Sequence, residues 1–252
     1  MIIRPIARER RHTVHFLQEI RGFSPVFLDT SVDMTRITGH RAAARAQDRR
    51  YSVVSYVLHA AGRVLAKHPE ANAALGGRLR PKVARYGEVN AKLALDKRFG
   101  DQRVVLSSVL PDVNLAELDD IQRQVDRLRD GDAQSLPEFD GLRRLQQLPG
   151  PLARAVFRRA VRPLRSRPAR FGTFAVTSLG HRPVDGFHSV GGTTVTLGLG
   201  RIAEQPVVRG GELAIAPVMR LNLSFDHRVI DGAEAADVLA DLKDALEDYD
   251  RA

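Results

Sequence analysis

Between residues 52 and 67 the apolar positions Val53, Val54, Val57, Leu58, Ala61, Val64 and Leu65 recur at spacings of three and four. That period predicts a helix with one buried face. Pro69 ends it, because proline cannot continue the hydrogen-bond ladder. Upstream, residues 10–19 read as a short helix, and residues 26–33 alternate loosely as a strand. Residues 81–130 predict strand, turn, strand and helix. The strands are 89–95 and 104–110, flanking a turn at 97–100, and Asn114 is the expected cap of a helix over 115–128. Farther on, strands are expected at 174–178, 193–199 and 219–225. A last helix comes after them, with Asp231 and Glu234 spaced as a capping box and Ala235, Val238, Leu242, Leu246 and Tyr249 as its buried stripe. Strands interleaved with helices predict an α/β fold, here one domain over residues 1–252.

Composition narrows the class. With 43% apolar and 27% charged residues the chain is expected to be globular, and the absence of cysteine excludes disulfides, thiolate metal sites and a thiol nucleophile. No apolar run approaches the ~20 residues that span a bilayer, so no membrane span is expected. The opening MIIRPIARERRH lacks the apolar centre of a signal peptide, which makes the cytoplasm the expected compartment.

The net charge of +9 is local. Residues 141–170 hold nine arginines and no acidic residue, and the other 222 residues sum to zero. One reading is a solvated helix lying over the domain surface. The other is a docking face for an acidic partner such as a carrier protein. With no tryptophan and few aromatic residues, the stacking chemistry of single-strand nucleic-acid binders is thin, and no nucleic-acid partner is expected.

The candidate chemistry centres on His227, in Leu221-Asn222-Leu223-Ser224-Phe225-Asp226-His227-Arg228-Val229-Ile230-Asp231-Gly232. A strand that delivers a histidine at its end, before a helix, suits a general base: imidazole titrates near neutrality and the strand fixes the ring. Composition alone predicts about 0.03 copies of H-x-x-x-D-G. The chain has two, the other running from His181 to Gly186, and spacing does not choose between them. Context favours His227, since no strand leads directly into His181. His12 and His15 have possible metal-ligand spacing but no evident third ligand, and read better as solvated helix surface. Gly198 and Gly200 form a lone G-x-G, which close backbone packing explains better than a dinucleotide loop.

The His227 motif resembles the active-site sequence of the dihydrolipoyl acyltransferases of 2-oxo-acid dehydrogenase complexes. Other segments are similar in the same order: Arg10-Arg11 with Pro25 and Val32-Asp33-Met34-Thr35; Tyr56 to Leu75, including His68-Pro69-Glu70-Ala71-Asn72-Ala73; Gly172-Thr173-Phe174-Ala175-Val176-Thr177-Ser178-Leu179-Gly180; and Leu197-Gly198-Leu199-Gly200-Arg201-Ile202. The resemblance implies a chloramphenicol acetyltransferase-like two-layer sandwich, with a mixed β-sheet flanked by helices. It implies His227 as general base in a direct attack on an acyl-CoA thioester, Thr177 as the hydroxyl that binds the oxyanion, and Ser178 as a weaker candidate facing the other way. It further implies a mainly structural Asp231 paired with Arg10 or, second, Arg11. A homotrimer with active sites between subunits is expected, so that His227 and Thr177 of one site come from different chains.

Two departures shape the expected substrate. No lipoyl or subunit-binding domain is expected, since the catalytic-type sequence starts at residue 5, and the basic insertion at 141–170 interrupts the pattern before the G-T-F segment. Both are similar to stand-alone members that acylate small molecules, including those of tetronate and polyketide antibiotic biosynthesis. The leading expectation is acetyl transfer from acetyl-CoA, as co-substrate with no permanently bound cofactor and no metal, to a hydroxyl of a small or carrier-bound acceptor. The alternatives are an acyltransferase core acting on a separate lipoyl protein and a non-catalytic trimeric scaffold.

Overall fold

The computed structural model describes residues 5–77 and 79–249. Its helices are α1 (Arg11–Glu19), α2 (Thr35–Ala46), α3 (Val53–Lys67), α4 (Leu118–Asp130), α5 (Asp140–Gln147), α6 (Gly150–Val161), α7 (Arg167–Phe171) and α8 (Gly232–Glu247). Its strands are β1 (Pro25–Asp33), β2 (Ala73–Gly76), β3 (Lys82–Arg85), β4 (Ala91–Phe99), β5 (Gln102–Leu110), β6 (Phe174–Ser178), β7 (Val195–Arg209) and β8 (Glu212–Asp226). Six strands form one sheet in the order β1-β8-β7-β6-β4-β5, and β2 and β3 form a separate hairpin. Within the large sheet β6 runs parallel to β4 and β7, while the other neighbours are antiparallel. The sheet is therefore mixed, as expected.

Strand alternation gives the sheet two chemically different faces. Leu93, Phe174, Val176, Val195, Leu197 and Leu223 point to one face, where α3, α4 and α8 close the main core. The helical stripe of α3 is buried there, with Tyr56, Val57, Leu58, Ala61 and Leu65 fully enclosed. Lys92, Ala175 and Thr196 lie opposite one another across three strands on the other face. That face is covered by α1 and the arginine-rich segment rather than by a second apolar layer.

Several boundaries differ from the sequence expectation. β4 continues through residues 97–99, and the reversal falls at Gly100, whose φ of +59° suits glycine. Asn114 does not cap α4; its side chain accepts from the Val89 N–H, and α4 starts after Glu117. Glu234 does not close a capping box: its carboxylate takes a hydrogen bond from His68 at 3.0 Å, and the same ring meets Asp241 at 2.9 Å. α2 and the β2–β3 hairpin were not evident, since α2 buries only Ile37 and Ala44. β7 and β8 are each 15 residues long and turn at Gly210 and Gly211. Beyond Ile202 this arm leaves Val208, Leu213 and Ile215 largely exposed. The glycines of the G-x-G are packing sites: a Cβ on Gly198 or Gly200 would collide with the backbone oxygens of Phe187 and Asp185.

The crossing of α3 with the chain after β5 depends on Gly62, where a Cβ would stand 2.6 Å from the Val113 carbonyl oxygen. Gly62→Ala is therefore expected to destabilise the fold by about 1–3 kcal/mol, despite alanine's better helix propensity. Urea unfolding monitored by circular dichroism checks this.

Candidate active site

His227 stands immediately after β8, and four backbone or side-chain contacts hold it. The Asp226 N–H donates to Thr194 O at 3.0 Å, and the His227 N–H donates to Ser24 O at 2.9 Å. The Val229 N–H then returns to Asp226 O at 2.9 Å, closing a turn. Asp226 is 2% exposed, and its carboxylate accepts two guanidinium hydrogen bonds from Arg228, at 2.8 and 2.6 Å. Arg228 in turn lies over the Phe23 ring, 4.9 Å from its centroid. A bidentate pair on a buried carboxylate thus fixes the turn that presents the imidazole. The ring itself is half exposed, with Nδ1 3.3 Å from the Asp231 carboxylate. This geometry leaves Nε2 as the nitrogen available for proton transfer.

The expected partner of Asp231 is corrected here. Among the described residues no ion pair joins Asp231 to Arg10 or Arg11; its carboxylate, 88% exposed, reaches His227 across one turn instead. The buried aspartate of this region is Asp226, which pairs with Arg228 two residues away in the same turn. His181 lies exposed in the loop after β6, and its motif aspartate, Asp185, pairs with Arg201 at 2.6 Å.

Thr177 occupies the sheet face opposite the core. A cavity of about 560 Å³ lies against this face, and Thr177 lines it together with Lys92, His12, Phe16, Phe157 and Phe171. Ser178 does not line it; its Oγ accepts from the Gly180 N–H. The strand enters this position through Gly172, where φ is +78° and a Cβ would stand 2.9 Å from the Lys92 backbone nitrogen, so the G-T-F segment needs its glycine.

His227 and Thr177 do not meet within one chain. Phe174, Val195 and Phe225 share one level of the sheet, and Thr177, Gly198 and Asn222 share another. His227 lies beyond the first level and Thr177 at the second. They are therefore about 16 Å apart along the strand direction, before two strand spacings are added.

The arginine-rich segment roofs the cavity. Leu145, Val156, Phe157 and Val161 face into it from α5 and α6, while Arg158 and Arg162 tie α6 to Glu19 of α1 at 3.3 and 2.6 Å. The expectation of a merely solvated helix is thus only half right. His12 and His15 also turn inward rather than to solvent. His12 lines the cavity and bonds Val105 O at 3.1 Å, and burial lowers the pKa of both rings. Among the described residues no metal-ligand cluster is found.

Lys92 is the residue that sequence reading missed. It is 8% exposed, donates to Gly191 O at 3.0 Å, and lies over the rings of Phe171 and Phe16, 3.7 and 4.4 Å from their centroids. Its burial, reinforced by Arg167, pushes the amine down to about 7. The signal was present: in Ala91-Lys92-Leu93-Ala94-Leu95 a period of two puts Lys92 on the face away from the core.

The unfolded amine titrates at 10.5, so between about 7 and 10.5 the unfolded chain binds more protons than the folded one. Stability contributed at this site therefore rises with pH across that window, and the full cost of burying the amine is carried below it. Lys92→Met is expected to stabilise the fold at pH 6 by up to about 4 kcal/mol, less the lost Gly191 hydrogen bond, with the gain vanishing toward the top of the window. Melting temperatures of both proteins across pH check this.

Comparison with known proteins agrees with the fold. Residues 154–252 match the family model described as 2-oxoacid dehydrogenases acyltransferase (catalytic domain). The dihydrolipoyllysine-residue acetyltransferase component of the pyruvate dehydrogenase complex of Bacillus subtilis (strain 168) is 58% identical over 52 residues, which are 21% of this chain and 12% of that relative's length. The Azotobacter vinelandii dihydrolipoamide acetyltransferase structure superposes with a TM-score of 0.75 at 23% identity, covering 98% of this chain and 92% of that one. A chloramphenicol acetyltransferase superposes with a TM-score of 0.50 at 17% identity, covering 98% and 99%. Among the described residues no helix is long and apolar enough to cross a membrane. In sequence over its carboxy-terminal part and in fold over nearly its whole length, the chain resembles the catalytic domains of the 2-oxoacid dehydrogenase acyltransferases and shares their chloramphenicol acetyltransferase-like fold.

Proposed function

We propose that the protein is an acyltransferase in which His227 of one chain and Thr177 of an adjoining chain act on the same thioester. The observation that carries this reading is the separation of the two residues. The imidazole is rigidly held but half exposed and turned out of its own chain, while the threonine hydroxyl makes no side-chain hydrogen bond among the described residues and lines a cavity. The projecting β7–β8 arm, with its exposed apolar side chains, supports contact with a neighbouring copy in a closed assembly such as a trimer.

In the proposed reaction the imidazole takes the proton of the acceptor S–H or O–H as that atom bonds to the thioester carbonyl carbon. The carbonyl oxygen, now carrying the negative charge, receives a hydrogen bond from the Thr177 hydroxyl. When the carbonyl re-forms, the C–S bond breaks and the imidazolium returns the proton to the leaving thiolate. Asp231 beside Nδ1 orients the ring.

The relatives favour a dihydrolipoyl-type thiol as acceptor or donor. The exposed Arg144, Arg154, Arg159 and Arg165, which have no carboxylate partner among the described residues, suit an acidic carrier. A second reading, O-acetylation of a small-molecule alcohol by acetyl-CoA, is supported by the cavity that the basic segment closes over the sheet beside Thr177. Assays with free dihydrolipoamide against alcohol acceptors separate the two.

His227→Asn is expected to lower kcat about 10²–10⁴-fold with an unchanged melting temperature. Thr177→Val should lower it about 10²–10³-fold. Because the proposed site is shared, co-refolding the two inactive variants in equal amounts should restore activity at about one site in four. No recovery on mixing would refute the shared site, and full activity of His227→Asn would refute the mechanism.

A further inference from the structure

The cavity beside Thr177 carries a charge that acyl transfer does not use. Its surface is dominated by rings and aliphatic side chains, yet Lys92 lies on its floor. The ammonium spends one donor on Gly191 O, and among the described residues no carboxylate pairs with it. A buried amine with no anion beside it is costly to charge, and it holds its proton readily only when something answers the charge. Arg170 also reaches the cavity. Lys92 faces Ala175 directly in the register, and Thr177 lies two residues farther along the same strand face. That places the Lys92 and Thr177 backbone positions about 8 Å apart.

We propose that the cavity binds an apolar substrate bearing a single acidic head, with the head on Lys92 Nζ and the apolar body beneath α5 and α6 against Phe16, Phe157 and Val161. The volume of about 560 Å³ falls within the range of small-molecule sites and far exceeds what an acetyl group needs. The acidic head sits near the atom that reacts, because Thr177 and Lys92 share one stretch of the sheet face. A neutral chain would bury the same apolar area but leave the ammonium unanswered, so the head group sets the preference. The inference rests on the acyl-transfer reading only for calling the occupant a substrate.

Isothermal titration calorimetry with decanoate and with decanol, which share a chain length and differ in head charge, tests the proposal on the intact protein. The wild type is expected to bind decanoate at least about tenfold more tightly than decanol. Lys92→Met should remove that preference, and Ala160→Trp, which fills the roof, should abolish binding of both. Circular dichroism melts establish that each variant is folded. Equal affinities for the two probes, binding of neither, or an unchanged decanoate affinity in Lys92→Met would overturn the proposal. His227→Asn should bind decanoate as the wild type does. Failure of the acyl-transfer mechanism therefore shows in turnover, while failure of this inference shows in binding.

Discussion

The pairing of the buried Asp226 carboxylate with Arg228 is the interaction on which the candidate site depends. A carboxylate 2% exposed is tolerable only when fully answered, and Arg228 answers it with two hydrogen bonds from its guanidinium group. Both residues flank His227, so the electrostatic demand of one side chain sets the backbone path of the next. Leaving the buried Asp226 carboxylate alone would cost about 3–5 kcal/mol, enough to make the turn a rigid feature. The His227 N–H bond to Ser24 O then ties this turn to the entry of β1, so the imidazole is mounted on two adjacent strands at once. Rigid mounting is what a general base requires, since proton transfer depends steeply on position.

A second constraint comes from strand alternation. Val176 is fully buried in the core and its neighbour Thr177 faces the cavity; the same alternation separates Leu93 from Lys92. One apolar face is satisfied by α3, α4 and α8, which leaves the opposite face free for chemistry. The basic segment closes over that face by pairing Arg158 and Arg162 with Glu19 rather than by filling it with apolar volume. A cavity therefore persists where a second hydrophobic layer would otherwise have packed. Part of the positive charge of residues 141–170 is thus architectural, and the remainder stays exposed.

Local periodicity made much of the fold legible. α3, α8 and β6 fall where the spacing of Val57, Leu58 and Leu65, of Val238 and Leu242, and of Phe174 and Val176 puts them. α2 was not legible because its stripe is short and interrupted by arginines, and most of its surface stays exposed or half-buried. The outer halves of β7 and β8 were hidden for a related reason: toward the tip of the arm Val208, Leu213 and Ile215 stay exposed, so no buried face marks the strands there. Asn114, Asp231 and Glu234 carry cap-forming side chains, but each found a partner elsewhere: the Val89 N–H, His227 and His68.

Local patterning was enough to settle the α/β class and the presentation of His227 at a strand end. These depend on neighbours within a few residues, where helix and strand periods act directly. Only the folded chain makes Asp226 rather than Asp231 the aspartate that is buried against an arginine, and turns His12 inward. Folding also makes Lys92 a buried amine, beneath helices more than fifty residues away in the chain. The difference arises because desolvation and charge pairing are properties of a shared volume. They depend on which distant segments close around a group, and no local pattern encodes that closure.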